Sequence, residues 1–168
     1  CLVKELQRSM PLQWKLIAKT GWTTLDISRY LETLEPESFD VAVSSLGVND
    51  AMTACSAAKF IQRQKNFVAL LREKFSIKQF YLSAIPPFNR FPVLPQPLSW
   101  FLGHSAIFYN RALTQFIESQ NDCHYMPIEF PITPEMLAED GFHPGPPIYK
   151  IWGEMVAQNI VQRHPVNV

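Results

Sequence analysis

Asp140-Gly-Phe-His143 sets a carboxylate and an imidazole three residues apart, with Pro144 directly after them. A neutral imidazole removes a proton from a hydroxyl as that oxygen attacks an acyl carbonyl, then returns it to the leaving group. A neighbouring carboxylate steadies the imidazolium and selects the reactive tautomer. Gly141 makes a tight loop in which the two side chains can converge. Far upstream, Gly47-Val-Asn-Asp50 follows the apolar run Phe39-Asp-Val-Ala-Val-Ser-Ser-Leu46. Asn49 offers an amide N–H to the negative oxygen that develops in a tetrahedral intermediate, and the backbone N–H of Gly21 offers a second. Losing one such donor costs about 3 kcal/mol of transition-state stabilisation. Asp50 either touches substrate or caps the segment after it. Taken singly, Asp-x-x-His is also an ordinary N-cap and Gly-x-Asn-Asp an ordinary turn. Their weight comes from where they fall among the elements.

Those elements follow from apolar periodicity. Leu2, Val3, Leu6 and Met10 lie at near-helical spacing, so residues 1–9 read as the end of a helix closed by Pro11. Trp14-Lys-Leu-Ile-Ala18 reads as a short strand and 19–22 as its loop. Thr23 or Thr24 caps a helix carrying Leu25, Ile27, Tyr30, Leu31 and Leu34, with Asp26 near its positive end. The run 39–46 reads as a buried strand of a parallel sheet. Thr53 or Ser56 caps a helix to about Phe75, with Phe60, Phe67, Val68, Leu70 and Leu71 inward and Arg63, Gln64, Lys65, Arg72, Glu73 and Lys74 solvated. A strand over 77–83 comes next.

Residues 84–98 interrupt the alternation. Their five prolines exclude a helix interior or a central strand. Phe88, Phe91, Val93 and Leu94 make the loop apolar enough to fold back over the carboxyl end of the sheet. Ser99 caps a helix to about Glu118, and 125–130 reads as a final edge strand. Pro146 and Pro147 open a last helix that buries Ile148, Ile151, Trp152, Met155, Val156 and Ile160. Strand and helix thus alternate at the intervals of an α/β fold with right-handed crossovers. Such sheets hold ligands at the carboxyl ends of their strands.

Composition narrows the alternatives. A chain of 168 residues, 47% hydrophobic and 18% charged, suits one globular domain over 1–168. Fifteen basic residues balance fifteen acidic ones, leaving no field to gather nucleic acid. No apolar run reaches the roughly 18 residues that a membrane span requires. Cys1, Cys55 and Cys123 are widely spaced without a C-x-x-C pattern, which argues against a disulfide scaffold or thiolate zinc site. The odd cysteine favours a reducing compartment, hence a cytoplasmic protein. The chain has no initiating Met and no signal region, so its natural amino terminus is expected to lie upstream, which leaves export open.

With these motifs in this order the chain resembles the SGNH, or GDSL-type, esterase/lipase (acylhydrolase) family. Gly21 in Lys-Thr-Gly-Trp-Thr-Thr resembles the block whose glycine N–H lines the oxyanion hole. Gly47-Val-Asn-Asp50 matches the Gly-x-Asn-Asp block, which implies an oxyanion role for Asn49. Asp140-Gly-Phe-His-Pro144 matches the Asp-x-x-His block, which implies His143 as base and Asp140 as its partner. The resemblance implies a flavodoxin-like three-layer α/β/α sandwich with a parallel sheet ordered 2-1-3-4-5, a Ser-His-Asp triad and no cofactor. The Gly-Asp-Ser block and its strand are absent from 1–168. That strand would be interior, so the serine is expected upstream of residue 1, on a segment or peptide that completes the sheet. Without it, 1–168 alone is expected to be inactive.

No internal residue substitutes readily. Ser44, Ser45, Ser83 and Ser105 read as structural, with Ser83 the best placed, and Ala54, Ala57 and Ala58 pack the turn around Cys55 too tightly for a thiol nucleophile. His104 can approach substrate, His124 reads as a strand-edge hydrogen bonder, and His164 sits near the terminus. A metal site on Asp140 and His143 lacks a third ligand nearby in sequence. Phe88, Phe91, Trp100 and Phe101 are candidates for an acyl or alkyl pocket suited to small or medium apolar esters. Trp22 could instead stack on a sugar, which would suit a carbohydrate O-acetyl esterase. A noncatalytic binding protein on the same scaffold is the second class. A flavin-binding reading leaves the Asp/His pair unexplained. Nothing marks an oligomer.

Overall fold

The computed structural model describes residues 2–53 and 55–163; Cys1, Ala54 and His164 lie outside them. In chain order the elements are α1 (Leu2–Gln7), α2 (Thr24–Thr33), β1 (Val41–Ser44), α3 (Val48–Met52), α4 (Ala57–Phe75), β2 (Gln79–Ser83), α5 (Leu98–Glu118), β3 (Cys123–Met126) and α6 (Pro146–Arg163), with 3-10 turns at Phe88–Arg90 and Pro134–Met136. No helix among the described residues is long and apolar enough to cross a membrane.

The three strands pair in parallel in the order β1-β2-β3, with Val41 opposite Gln79 and Phe80 opposite Cys123. The chain is therefore an α/β protein with a parallel sheet, as expected. Both crossovers step in the same direction, so right-handed connections place α4 and α5 on one face of the sheet, where they pack on each other. Phe60 of α4 stacks on Tyr109 of α5, with ring centroids 4.7 Å apart. Asn110 grips the loop after β2 at both ends of its amide: Ile85 N–H donates to its Oδ1 and its Nδ2 donates to the Ile85 carbonyl, each at 2.8 Å.

The chain divides into two compact units. One comprises Cys1–Ile17, Arg90–Pro95 and Glu129–Val168; the other comprises Ala18–Asn89 and Gln96–Ile128. The first contains α1 packed on α6, and the second contains the sheet with α2 to α5.

Local chemistry sets the boundaries. Thr23 caps α2 with a reciprocal box: its hydroxyl accepts from Asp26 N–H, and Asp26 Oδ2 accepts from Thr23 N–H at 2.9 Å. Ser56 caps α4 by accepting from Lys59 N–H. Ser76 ends that helix in the left-handed conformation, at φ 53°, and its backbone N–H donates to the Leu71 carbonyl.

Several sequence expectations give way. Residues 14–18 form no strand, and Trp14 and Leu16 are exposed; a strand needs a ladder shared with a neighbour, and the sheet of the described residues does not extend to this segment. Val41 to Val43 are half-buried rather than buried, because β1 pairs on one side only among the described residues. The last strand lies earlier than 125–130. Pro97, not Ser99, occupies the N-cap of α5, and Ser99 is buried in the first turn. On α4, Gln64 is buried and the Arg63 side chain is only 17% exposed, because Arg63 pairs with the buried Asp50 and Gln64 donates to the Thr24 hydroxyl.

Gly47 precedes α3 at φ +120°, a region that side chains rarely adopt. A Cβ there would lie 2.8 Å from Ile85 Cδ1 and 3.1 Å from Phe60 Cε2, both on buried side chains. Gly47→Ala is expected to destabilise the protein by about 1–3 kcal/mol through backbone strain and this clash. The check is the urea midpoint; an unchanged midpoint would show that the turn relaxes freely.

Candidate active site

In the first unit, the loop carrying Asp140 and His143 is closed by backbone bonds. Leu137 bridges to Pro144, Ala138 N–H donates to the His143 carbonyl at 2.8 Å, and Gly145 N–H donates to the Met136 carbonyl at 2.9 Å. Gly145 must be bare, since a Cβ would stand 2.7 Å from the Met136 oxygen. Gly141, at φ +67°, turns the chain so that Asp140 faces Phe142 and His143. Asp140 Oδ1 accepts from the N–H groups of Phe142 and His143 at 3.0 and 2.9 Å, and Oδ2 meets His143 Nδ1 at 2.5 Å.

The two side chains are therefore joined in one hydrogen-bonded unit. An ionised Asp140 fixes the proton on Nδ1 and leaves Nε2 as the basic nitrogen. The imidazole stands 60% exposed, with the Phe142 ring edge-on at 5.4 Å and Phe91 against Phe142 at 5.6 Å. The hydrogen bond from His143, then the backbone N–H groups of His143 and Phe142, hold the Asp140 carboxyl down at about 2 from an ordinary 3.8. Because the folded value is the lower one, the stabilisation these bonds supply is complete above 3.8 and is lost as pH falls through about 2.

In the second unit, Gly21 (φ +81°) sits in a turn closed by Trp22 N–H donating to the Lys19 carbonyl, with open space around the position of a Cβ. The Trp22 carbonyl accepts from Asn49 Nδ2 at 2.9 Å. That bond uses one amide hydrogen and fixes the direction of the other. Trp22 is half-buried, with Tyr30 at 5.2 Å and Lys19 Nζ at 5.4 Å from its ring. Asp50 is fully buried: Thr24 donates its N–H and its hydroxyl to Oδ2, each at 2.8 Å, and Arg63 Nη1 donates to Oδ1 at 2.7 Å. This bond raises the Arg63 pKa.

The structure thus gathers Asp140 with His143 in one unit, and Gly21, Trp22, Asn49 and Asp50 in the other. Expected substrate contacts change. Asp50 and Phe88 have no exposed surface and Phe91 retains 5%, so they offer nothing to a ligand here; Asp50 answers to Thr24 and Arg63, and the two phenylalanines are core. Trp100 is 58% exposed on α5, with His104 against its ring at 4.6 Å. Ser44 and Ser83 are buried, and Ser105 donates back to the Phe101 carbonyl at 2.9 Å. His124 pairs with Gln79 at 2.6 Å across β2 and β3. Thr24, Arg63 and Gln64 were missed as site residues. A signal existed for Gln64, which falls between Phe60 and Phe67 in the buried register of α4.

A family model described as the GDSL-like Lipase/Acylhydrolase family matches residues 2–151. Among solved structures, a carbohydrate esterase family 3 protein from Talaromyces cellulolyticus superposes with a TM-score of 0.63 at 18% identity, over 85% of this chain and 68% of the other. An acetyl esterase mutant with acetate ion gives 0.61 at 18%, with the same two coverages of 85% and 68%. The psychrotrophic esterase EstA from Pseudoalteromonas sp., inhibited by monoethylphosphonate, gives 0.60 at 18%, over 86% and 74%. At this identity the likeness concerns the fold. Comparison with curated protein sequences gives no match.

In His143→Ala, the Asp140 carboxyl is expected to titrate above its present value of about 2, moving toward 3.8 without reaching it because both backbone donors remain. Carboxyl-carbon NMR measures this; a midpoint that stays at about 2 would assign the whole depression to the backbone.

Proposed function

This chain belongs to the GDSL-like lipase/acylhydrolase family, and from that premise we propose that the protein is a serine ester hydrolase. The observation that carries the reading is the Asp140–His143 pair, bonded at 2.5 Å in a loop whose backbone admits little other geometry. A serine hydroxyl attacks the ester carbonyl while His143 Nε2 takes its proton. Asp140 keeps Nδ1 protonated and offsets the imidazolium charge. The carbonyl oxygen becomes an oxyanion that accepts from the Gly21 N–H and the second Asn49 amide N–H. The intermediate then expels the alcohol with the proton from His143, and water repeats the cycle on the acyl enzyme.

The serine belongs to a Gly-Asp-Ser block outside 1–168, on a strand that pairs along the edge of β1 opposite β2. That edge, which no strand covers among the described residues, supports a strand in that place. Trp22, half-buried beside Gly21, offers its indole to the substituents of the ester. With Phe88 and Phe91 enclosed, no deep acyl pocket comes from them, which favours a short acyl group.

In the complete protein, a fluorophosphonate is expected to label one serine, and His143→Ala to abolish both labelling and turnover. Asn49→Ala should lower kcat by about 100–1,000-fold with little change in KM. An effect confined to KM would remove Asn49 from the oxyanion role. Asp140 stays ionised far below neutral pH, so the acid limb of kcat/KM should survive Asp140→Asn at reduced amplitude rather than vanish. Loss of that limb in the variant would assign it to Asp140.

A further inference from the structure

Both oxygens of the buried Asp50 carboxylate are engaged, Oδ2 by two donors from Thr24 and Oδ1 by Arg63. The Thr24 hydroxyl oxygen accepts in turn from Nε2 of the buried Gln64 at 2.9 Å. Thr24 lies two residues beyond Trp22, whose carbonyl holds the Asn49 amide. The turn bearing Gly21 and the turn bearing Asn49 are therefore tied twice, through Asn49 itself and through its neighbour Asp50. Only a carboxylate accepts at both oxygens. An asparagine in its place must aim an NH2 group either at the Thr24 donors or at the guanidinium.

Resting on the ester hydrolase reading above, we propose that Asp50 and Arg63 are positioning residues that hold the Gly21 and Asn49 donors as one preorganised unit. Neither touches substrate. Oxyanion stabilisation depends on donors that are fixed before the charge appears, and a displacement of about 1 Å costs on the order of a hundredfold in rate. Arg63 answers the buried Asp50 carboxylate at Oδ1, and Asp50 keeps the start of α2 and the first turn of α3 in register. Arg63 also lines a cleft of about 100 Å³ between α2 and α4, with Leu25, Ser28, Arg29, Glu32, Asn66 and Leu70. In Arg63→Ala the space vacated by the side chain is where an added guanidinium ion would bind.

The test uses the complete protein carrying Asp50→Asn or Arg63→Ala, each compared with wild type by circular dichroism and thermal melting. The Asn49 side-chain amide is followed by 15N NMR, and turnover by an activated aryl ester. In both variants the Asn49 amide protons are expected to shift and to exchange faster with water. kcat should fall about 10–100-fold while KM stays within about twofold. Low millimolar guanidinium should restore most of the Arg63→Ala loss and none of the Asp50→Asn loss. An Asn49 amide that does not move in either folded variant overturns the proposal, as does a loss that follows melting temperature or an Arg63→Ala loss that guanidinium does not rescue. If wild type hydrolyses no ester while the Asn49 amide still loosens in the variants, the hydrolase reading falls and the positioning of Asn49 stands. If wild type is active and the amide is indifferent, the reverse holds.

Discussion

A carboxylate removed from water must have its charge and its lone pairs answered by the protein, and the unit that contains the sheet is arranged around one such group. Asp50 receives the start of α2 through Thr24 and the middle of α4 through Arg63, and Gln64 completes the polar set. A helix as short as α3, five residues from Val48 to Met52, has little stability of its own. It persists because Asp50 in its first turn is bonded on both oxygens and because Gly47 enters it against Ile85 and Phe60. The side chain that projects from the same turn, Asn49, inherits that rigidity.

The other candidate carboxylate is built by the opposite means. Asp140 is half-exposed, and its donors come from Phe142 and His143, two and three residues on. Solvent screens its charge, so geometry rather than burial shapes its behaviour, and the result is a pKa that falls. The Asp140–His143 pair is open to water, whereas Asp50 is fully buried among its partners. One carboxylate is held by near neighbours in the open, the other by distant partners in the core.

This contrast also explains what the sequence disclosed. The Asp140–His143 pair, the Thr23–Asp26 cap and the Ser56 cap all join residues three apart, so types and spacing point to the pair and narrow each cap to two candidates. The parallel sheet and the crossover helices followed from apolar runs and their intervals. The Asp50 network joins residues 26, 13 and 40 apart, and no local pattern announces such partners. Arg63 looks like any solvated helix position until the fold brings Asp50 beneath it, and Gln64, though in the buried register of α4, finds its partner in Thr24, 40 residues away. Residues 14–18 mislead for a related reason, since alternation reports a strand's preference and not whether a neighbour is present. The apolar, proline-rich loop around Phe88 and Phe91 has the composition of a pocket wall, yet large aromatic rings in a constrained loop gain more from burial.

The order of the sheet has a consequence for how the chain acquires its structure. Each strand pairs with the next one in sequence: Val41 meets Gln79, and Phe80 meets Cys123. No strand of the three waits for a later one to be inserted between it and its partner. The β1–α4–β2 half closes its contacts before β3 is needed, so during synthesis it can assemble while β3 is still within the ribosome. Loop-closure entropy is met in two moderate steps instead of one large one, and the crossover helices, which form from local contacts, shorten each search.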